Sequence, residues 1–408
     1  MKIGIAALAV LLVMAAAGCS SDAAEETHAR SYIAEGLRVA EAADELAEET
    51  PDAPAGEAGE ESGEPAGESE AVGEAEAAAS GAESAGEGEP EGEANEADAD
   101  GEPGGEEGDE AEPLDVCTFN IKFVGNYFDK ENEHLADMLS AYDIVVVQEL
   151  VAPPVDGVYP DGEVYTADIE AKEFSDAMEA EGFSMLLSEE DTGSGDIHKA
   201  SSATEWWIAF YRADRVESAP DLPTGFLADD RSAHPVYRRV PYAFGFRTLD
   251  GAADFVLISV HLDPDDDEVR LGEFAAIAEW IDENEDTEKD FIILGDTNIQ
   301  DEEELEACTP EGFVSMNSEC CATNTKPDAP KPYDHVMYRP EHTDREIDTD
   351  YGLWVVDLLA TMEPYWSDTY AEPYPGDVAA YDHNDFARHY SDHHPVEFRI
   401  AATGTDDD

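Results

Sequence analysis

Phe291–Asn298 reads FIILGDTN. A run of large apolar residues with no polar alternation suits a strand buried on both faces, inside a layered structure. The run stops at Gly295 and delivers Asp296 and Asn298. Ile144–Glu149, IVVVQE, has the same form and closes on Gln148 and Glu149. Working outward, further β-rich runs are Asp115–Asn120 (DVCTFN), Trp206–Tyr211 (WWIAFY) and Tyr242–Arg247 (YAFGFR). Phe255–His261 (FVLISVH), Tyr333–Tyr338 (YDHVMY) and Pro395–Ile400 (PVEFRI) complete the set. Helical patterns fall between some of them, over Asn132–Ser140, Ile169–Ala180 and Asp267–Ile281. In the last, Leu271, Phe274, Ala275, Ala278 and Ile281 recur at helical spacing. Strands mixed with helices predict an α/β or α+β domain, with sheets in the middle and helices outside. No Gly-rich phosphate loop follows a strand, which argues against nucleotide-cofactor folds.

Each apolar run meets a residue that chemistry can use. Strands stop at Asn120, Glu149, His261, and Asp296 with Asn298. Tyr333-Asp334-His335 opens one strand, and Ser391-Asp392-His393-His394 leads into the last. One such residue is ordinary. A set of carboxylates, amides and imidazoles is harder to explain as turns, and strand ends on one sheet edge are where α/β proteins place their sites. The carboxylates are hard oxygen donors with no thiolate among them, favouring Mg²⁺, Mn²⁺ or Ca²⁺ over zinc. Phosphoester hydrolysis needs such a metal, a group that takes a proton from water, and donors for the equatorial oxygens. Glu149 suits the metal, and Asn120 and Asn298 suit a metal-bound or phosphate oxygen. His393 suits proton uptake if a carboxylate holds its ring, and His261 suits donation to a phosphate or leaving-group oxygen.

The ordered set resembles the endonuclease/exonuclease/phosphatase superfamily. It comprises Asn120, Gln148-Glu149, His261-Leu262, Gly295–Asn298 as GDxN, Tyr333–His335 as YDH, and Ser391–Val396 as SDHHPV. The resemblance spans about 113–400 and implies a four-layer sandwich, two central mostly antiparallel β-sheets flanked by helices. It implies Glu149 as the main Mg²⁺ ligand, helped by Asn120, with Asp392 as a second ligand or a ring contact. It implies that Asp296 and Asn298 orient phosphate and water. Asp334 would hold His393 as general base, and Glu205 would orient His261. Arg239, or its neighbour Arg238, matches the family's phosphate-contacting arginine. The Glu205–His261 pair is similar to the deoxyribonuclease branch. One departure is that Leu150-Val151 follows Glu149 where that branch places an arginine that enters the DNA minor groove.

The ends carry different information. Met1-Lys2 precedes an apolar run, Ile3–Ala17, too short for a comfortable membrane span. It closes on Ala16-Ala17-Gly18-Cys19, resembling a bacterial lipoprotein signal of residues 1–18 with Cys19 as the lipidated residue. Ser20 after it fits an outer-membrane destination, on either face. Residues 19–112 are mostly Ala, Gly, Glu, Ser, Pro and Asp, a composition expected to stay disordered as an extended acidic tether. Ser31–Leu46 within it has a short amphipathic helical pattern. The globular domain is expected over 113–402, with 403–408 as a tail.

The formal charge is -79, and residues 1–112 hold 32 of the 100 acidic and 3 of the 21 basic side chains. The domain alone is therefore near -50. Such a surface repels polyanions at long range. Apart from Cys19, the cysteines are Cys117, Cys308, Cys320 and Cys321. A bridge from Cys308 to Cys320 or Cys321 is expected in an oxidising compartment. A zinc cluster is the alternative, without a CxxC pair to support it.

Several residues have two readings. Asp263, Asp265, Asp266 and Asp267 either start a helix or bind a structural Ca²⁺. His335 and His394 either pack or serve the site. The aromatic segment 362–390 either shapes substrate access or forms its own cluster. The function expected is a nuclease or related phosphodiesterase, or else an esterase for phospholipid, inositol-phosphate or other small phosphate substrates. A non-catalytic tethered module is a third reading. No protein partner is implied, and a monomer is expected.

Overall fold

The computed structural model describes residues 112–125, 130–192, 204–228, 236–369 and 383–401. The signal segment, Cys19, the 31–46 helix, nearly all of the tether and the 403–408 tail lie outside the described residues. The chain begins with β1 (Leu114–Val124), α1 (Asn132–Leu139), β2 (Ile144–Leu150), β3 (Gly157–Val158), β4 (Val164–Tyr165), α2 (Ile169–Ala180) and β5 (Ser184–Leu187). It continues through β6 (Trp206–Tyr211), β7 (Val216–Ser218), β8 (Gly225–Phe226), β9 (Tyr242–Thr248), β10 (Asp254–His261), α3 (Asp267–Asn284) and β11 (Phe291–Asp296). It ends with α4 (Glu302–Cys308), β12 (Val314–Ser315), β13 (Asp334–Tyr338), α5 (Pro340–Thr343), β14 (Leu353–Val355), α6 (Leu358–Thr369), α7 (His383–His389) and β15 (Val396–Ile400).

One sheet has the order β14-β15-β1-β2-β6-β5, and the other β12-β13-β11-β10-β9-β7, with β8 also on β9. Among the described residues, only β1–β2 and β10–β11 pair in parallel within these sheets; their other pairs are antiparallel. Parallel partners finish at the same edge. Asn120 therefore lies beside Gln148, and His261 beside Asp296. An antiparallel neighbour starts at the edge where its partner stops, so Asp334 opens β13 opposite Asp296. β15 runs antiparallel to β1, which returns the Ser391–His393 segment to that edge.

The period-2 alternation explains why runs such as IVVVQ lack a polar face. Ile144 and Val146 enter an apolar layer with Trp207, Phe246, Phe255, Ile292, Leu294 and Phe398, drawn from both sheets. Val145 and Val147 turn the other way, into a layer with Leu135, Phe174, Met178, Leu358 and Trp366 of the covering helices. On the second sheet, Val256, Ile258 and Ile293 pack with Phe274, Ile277 and Ile281 of α3. The result is helix, sheet, sheet, helix: four layers with three apolar seams. Each fully buried aliphatic side chain contributes roughly 1.5–3 kcal/mol relative to exposure.

Caps set the main helix starts. Asp168 accepts from Glu170 N and Ala171 N at α2, and Asp266 from Glu268 N and Val269 N at α3. Asp263 Oδ1 accepts from Asp265 N and Asp266 N, at 2.8 and 3.0 Å. The acidic run after His261 is thus a helix start, with Asp263 and Asp266 engaged by backbone donors. At its described ends, the aromatic segment supplies Met362, Trp366, Phe386 and Tyr390 to the layer outside the first sheet. His335 and His394 are also packed. Ser315 Oγ lies 2.8 Å from His335 Nδ1, and Leu358 N donates to His394 Nδ1 at 2.9 Å.

The expected bridge from Cys308 is not formed, because Cys308 and Cys320 are free thiols. Cys308 ends α4 inside the apolar layer outside the second sheet, 3% exposed, and Cys320 packs against that layer. Both serve as small apolar side chains there. Among the described residues, no helix is long and apolar enough to cross a membrane.

Candidate active site

Asp296 is the centre of the site. Its Oδ2 accepts from Asn120 Nδ2 at 2.9 Å and faces two imidazoles, His393 Nε2 at 3.5 Å and His261 Nε2 at 3.6 Å. Asn120 Nδ2 also donates to Glu149 Oε1 at 2.9 Å. One amide on β1 therefore ties the carboxylate ending β11 to the carboxylate on β2, across the two sheets. Gly295 permits this closure. It has φ 128°, and a Cβ there would meet Val260 O at 2.4 Å and Gln148 Nε2 at 3.0 Å. Gln148 Nε2 donates to Ser259 Oγ at 3.1 Å, a second tie between the sheets beneath the site.

Each imidazole is held from behind. His393 Nδ1 lies 2.7 Å from Asp334 Oδ2, and His261 Nδ1 lies 3.1 Å from Glu205 Oε1. Each ring thereby points Nε2 at Asp296. Glu205 is heavily used: its Oε2 accepts from Glu149 N at 2.7 Å, and its Oε1 lies 2.9 Å from Arg239 Nε. Arg239 Nη1 also donates to the His261 carbonyl at 3.4 Å. Arg239, expected as a phosphate contact, therefore reaches the site mainly as a holder of the Glu205–His261 pair. Arg238 is exposed.

Backbone strain concentrates at the same edge. Glu149 has φ 64° and Asn298 φ 54°, and Lys122 and Phe123 also have positive φ. Non-glycine residues held there cost about 1–3 kcal/mol each and cluster at functional sites. Asn298 is fixed by its N–H on Asp296 Oδ1 at 2.9 Å and its Nδ2 on the Leu262 carbonyl at 3.1 Å.

Burial opposes charge on His393, but Asp334, Asp296 and Asp392 outweigh it and hold the imidazolium up to about 10. Burial and Arg239 likewise oppose charge on His261, and Glu205 and Asp296 prevail to raise it. Burial raises Asp296 and Glu149 above the usual carboxylate range. Glu205 is held below it, since His261 and Arg239 outweigh its burial.

At this edge, buried carboxylate oxygens of Glu149 (Oε2), Asp334 (Oδ1) and Asp392 (Oδ1) have no hydrogen-bond partner among the described residues. A buried anionic oxygen without a donor is costly unless a cation or proton faces it. Glu149 with Asp296 and His261 groups ligand atoms within 4.8 Å, and Asp296 with Asp334 and His393 does the same. The donor set therefore fits a divalent cation. Two expected ligands have other partners here. Asn120 gives its N–H groups to Glu149 and Asp296, while its Oδ1 accepts from Lys122 N at 3.1 Å. Asp392 Oδ2 holds Lys122 Nζ at 2.6 Å.

Lys122 and Glu273 were not found from the sequence, and Ser391 was named there only as part of the SDHHPV motif. Ser391 Oγ donates to the Asn120 carbonyl at 2.6 Å and accepts from His393 N at 3.0 Å, joining the histidine segment to β1. Glu273 on α3 accepts from Arg238 N at 2.7 Å and Asp263 N at 2.9 Å, fastening both loops that flank His261. Its only sequence signal is a charge on the apolar face of a helix.

Burial pushes Glu273 up to about 7 against those two donors. Between the ordinary glutamate value near 4.5 and about 7, the folded chain keeps a proton that the unfolded chain has lost. This contribution to stability is therefore complete below about 4.5 and disappears as pH rises through about 7. Its size is up to about 3 kcal/mol. Urea titrations of wild type and Glu273→Gln should show the wild-type advantage shrinking by that order between pH 4.5 and 8. A gap independent of pH would contradict the assignment.

No protein-family model matches this sequence, and no curated protein matches it. Among solved structures, the fold is similar to an endonuclease/exonuclease/phosphatase family protein from Bacteroides thetaiotaomicron. That similarity has 16% identity, 71% of this chain, 98% of the other and a TM-score of 0.45. A mannosyl-6-phosphatase of the same organism gives 16%, 70%, 99% and 0.44. The human Nocturnin catalytic domain with bound sulfate gives 14%, 71%, 94% and 0.43. The functional reading rests on the site itself.

Proposed function

We propose that this protein is a metal-dependent phosphoester hydrolase of the endonuclease/exonuclease/phosphatase superfamily, acting on phosphodiesters in the manner of a deoxyribonuclease. The observation that carries this reading is the convergence of two carboxylate–imidazole pairs on Asp296, beside a buried Glu149 oxygen with no donor. A phosphate seated over Asp296 would have one imidazole on either side.

His393, held by Asp334, takes the proton of the attacking water through Nε2 from its neutral form, which a cation neutralising the neighbouring carboxylates would favour. His261, held by Glu205, gives a proton to the departing oxygen from the other side. Asp296 keeps both Nε2 atoms turned inward, and Asn298 keeps Asp296 in place. Glu149 would hold the divalent ion, Mg²⁺ or Mn²⁺, with Asn120 steadying its carboxylate. The ion supplies neutralisation of charge on the phosphoryl oxygens.

A second reading, a phosphoesterase for phospholipids or small phosphate esters, is favoured by one further observation. Leu150 and Val151, which follow Glu149, are buried at 0% and 2% exposure. No side chain there can enter a DNA groove, and the domain's charge opposes a polyanion. Purified protein with Mg²⁺, with and without Ca²⁺, should be assayed on plasmid DNA, RNA, sphingomyelin and bis-p-nitrophenyl phosphate. Turnover of the small diester is expected on either reading. Nicked plasmid or cleaved RNA selects the first, and sphingomyelin cleavage selects the second. No turnover of any would sink the enzyme reading.

We also infer export and lipid anchoring from the sequence, with Cys19 as the modified residue. Cys19→Ser is expected to abolish palmitate labelling and release the protein from the membrane fraction. Unchanged labelling would refute this.

A further inference from the structure

Lys122 stands two residues beyond Asn120, where β1 would ordinarily continue its ladder. Instead, Lys122 and Phe123 take consecutive left-handed conformations, φ 60° and 55°. The β1–β2 register shifts between Asn120 and Val124. A bulge of this kind re-aims a side chain at the cost of local strain. The side chain re-aimed is a lysine whose Nζ reaches Asp392 Oδ2 at 2.6 Å, with the Phe123 ring centroid 4.7 Å from the ammonium. The pair is mostly covered, at 23% and 22% side-chain exposure.

The surroundings explain why a cation is needed there. Glu149 on β2 and Asp392 in the segment before β15 come to one end of the site, where each acts on the other electrostatically and keeps a buried oxygen without a donor. Two neighbouring carboxylates oppose each other's ionisation unless positive charge lies between them. One divalent ion on Glu149 answers half of this requirement. A second ion on Asp392 would answer the rest, but the ammonium already lies on one of its two oxygens.

We infer that Lys122 is a built-in cation that takes the place of a second metal ion, so that the site holds one divalent ion, on Glu149. This rests on the metal-dependent reading above. It predicts that removing the ammonium frees Asp392 to take an ion of its own.

The test counts ions. The full chain is titrated with Mn²⁺ at physiological ionic strength, and free Mn²⁺ is followed by its paramagnetic resonance signal. Weak binding by the acidic surface is common to all variants, so differences between variants count the tight sites. Wild type should exceed Glu149→Gln by one ion. Lys122→Met should exceed wild type by one, Lys122→Arg should match wild type, and Lys122→Met combined with Asp392→Asn should return to the wild-type count. Thermal melts establish that each variant is folded. A Lys122→Met count equal to wild type, or a wild-type excess of two over Glu149→Gln, overturns the inference and leaves the metal reading standing. Equal counts for wild type and Glu149→Gln overturn both.

Discussion

Replacing His393 with alanine is expected to lower kcat by about 10³- to 10⁴-fold, with a much smaller change in KM. The ring is anchored by Asp334 at 2.7 Å and directs Nε2 to within 3.5 Å of the central Asp296 oxygen. It supplies no large apolar surface for substrate, so its loss should register in the chemical step. The variant also leaves Asp334 buried without its main partner, which costs about 1–3 kcal/mol. A melting curve must therefore accompany the kinetics, to show that the variant is folded at the assay temperature. Asp334→Asn gives a second measure. The amide can still contact Nδ1, but it withdraws the charge that favours the imidazolium, so kcat should fall while the fold persists. Activity of a folded His393→Ala within about 10-fold of wild type, a loss smaller than general-base catalysis supplies, would remove His393 from the role of base.

Much of this site was legible because strand chemistry is local. A buried strand must be apolar until it reaches an edge, so the first polar residue after FIIL or IVVV marks that edge. Asn120, Glu149, His261 and Asp296 were found in this way, and all four meet. Glu205 and Asp334 precede their strands' apolar cores and were found through the resemblance to a family; the structure brings both to the imidazoles. The partners of Arg239 were not legible. Whether a guanidinium faces solvent or the Glu205 carboxylate depends on how the loop before β9 folds back, and no periodicity reports that. The Lys122 bulge was hidden for a related reason, since the strand was read as stopping at Asn120 and the left-handed kink just beyond it has no signature in a local apolar pattern. The short strands β3, β4, β7, β8 and β12 have two or three residues each, too few to show alternation. The missing Cys308 bridge shows the limit of spacing: three cysteines in one segment suggested a bond, but Cys308 and Cys320 are packed as apolar groups instead.

The second pair makes a different prediction, because it acts on the opposite end of the reaction. If His261 protonates the leaving oxygen, its contribution depends on how badly that oxygen needs a proton. Glu205→Gln should therefore lower kcat about 10²- to 10⁴-fold for a diester with an alkyl alcohol leaving group. It should have a far smaller effect for a p-nitrophenyl ester, whose leaving group departs without help. His393→Ala should lower both alike, because attack by water is common to them. The same substitution is structurally severe. Glu205 accepts from Glu149 N at 2.7 Å and forms ion pairs with His261 Nδ1 and Arg239 Nε at 3.1 and 2.9 Å. A glutamine carries no charge to pair with His261 and leaves Arg239 without a counter-charge. Breaking a buried pair in this way costs about 3–5 kcal/mol. His261→Asn removes the acid while keeping Glu205 on Glu149 and Arg239, so it separates chemistry from stability. Equal losses on both esters for a folded His261→Asn would mean that His261 binds the phosphate instead of protonating the leaving group.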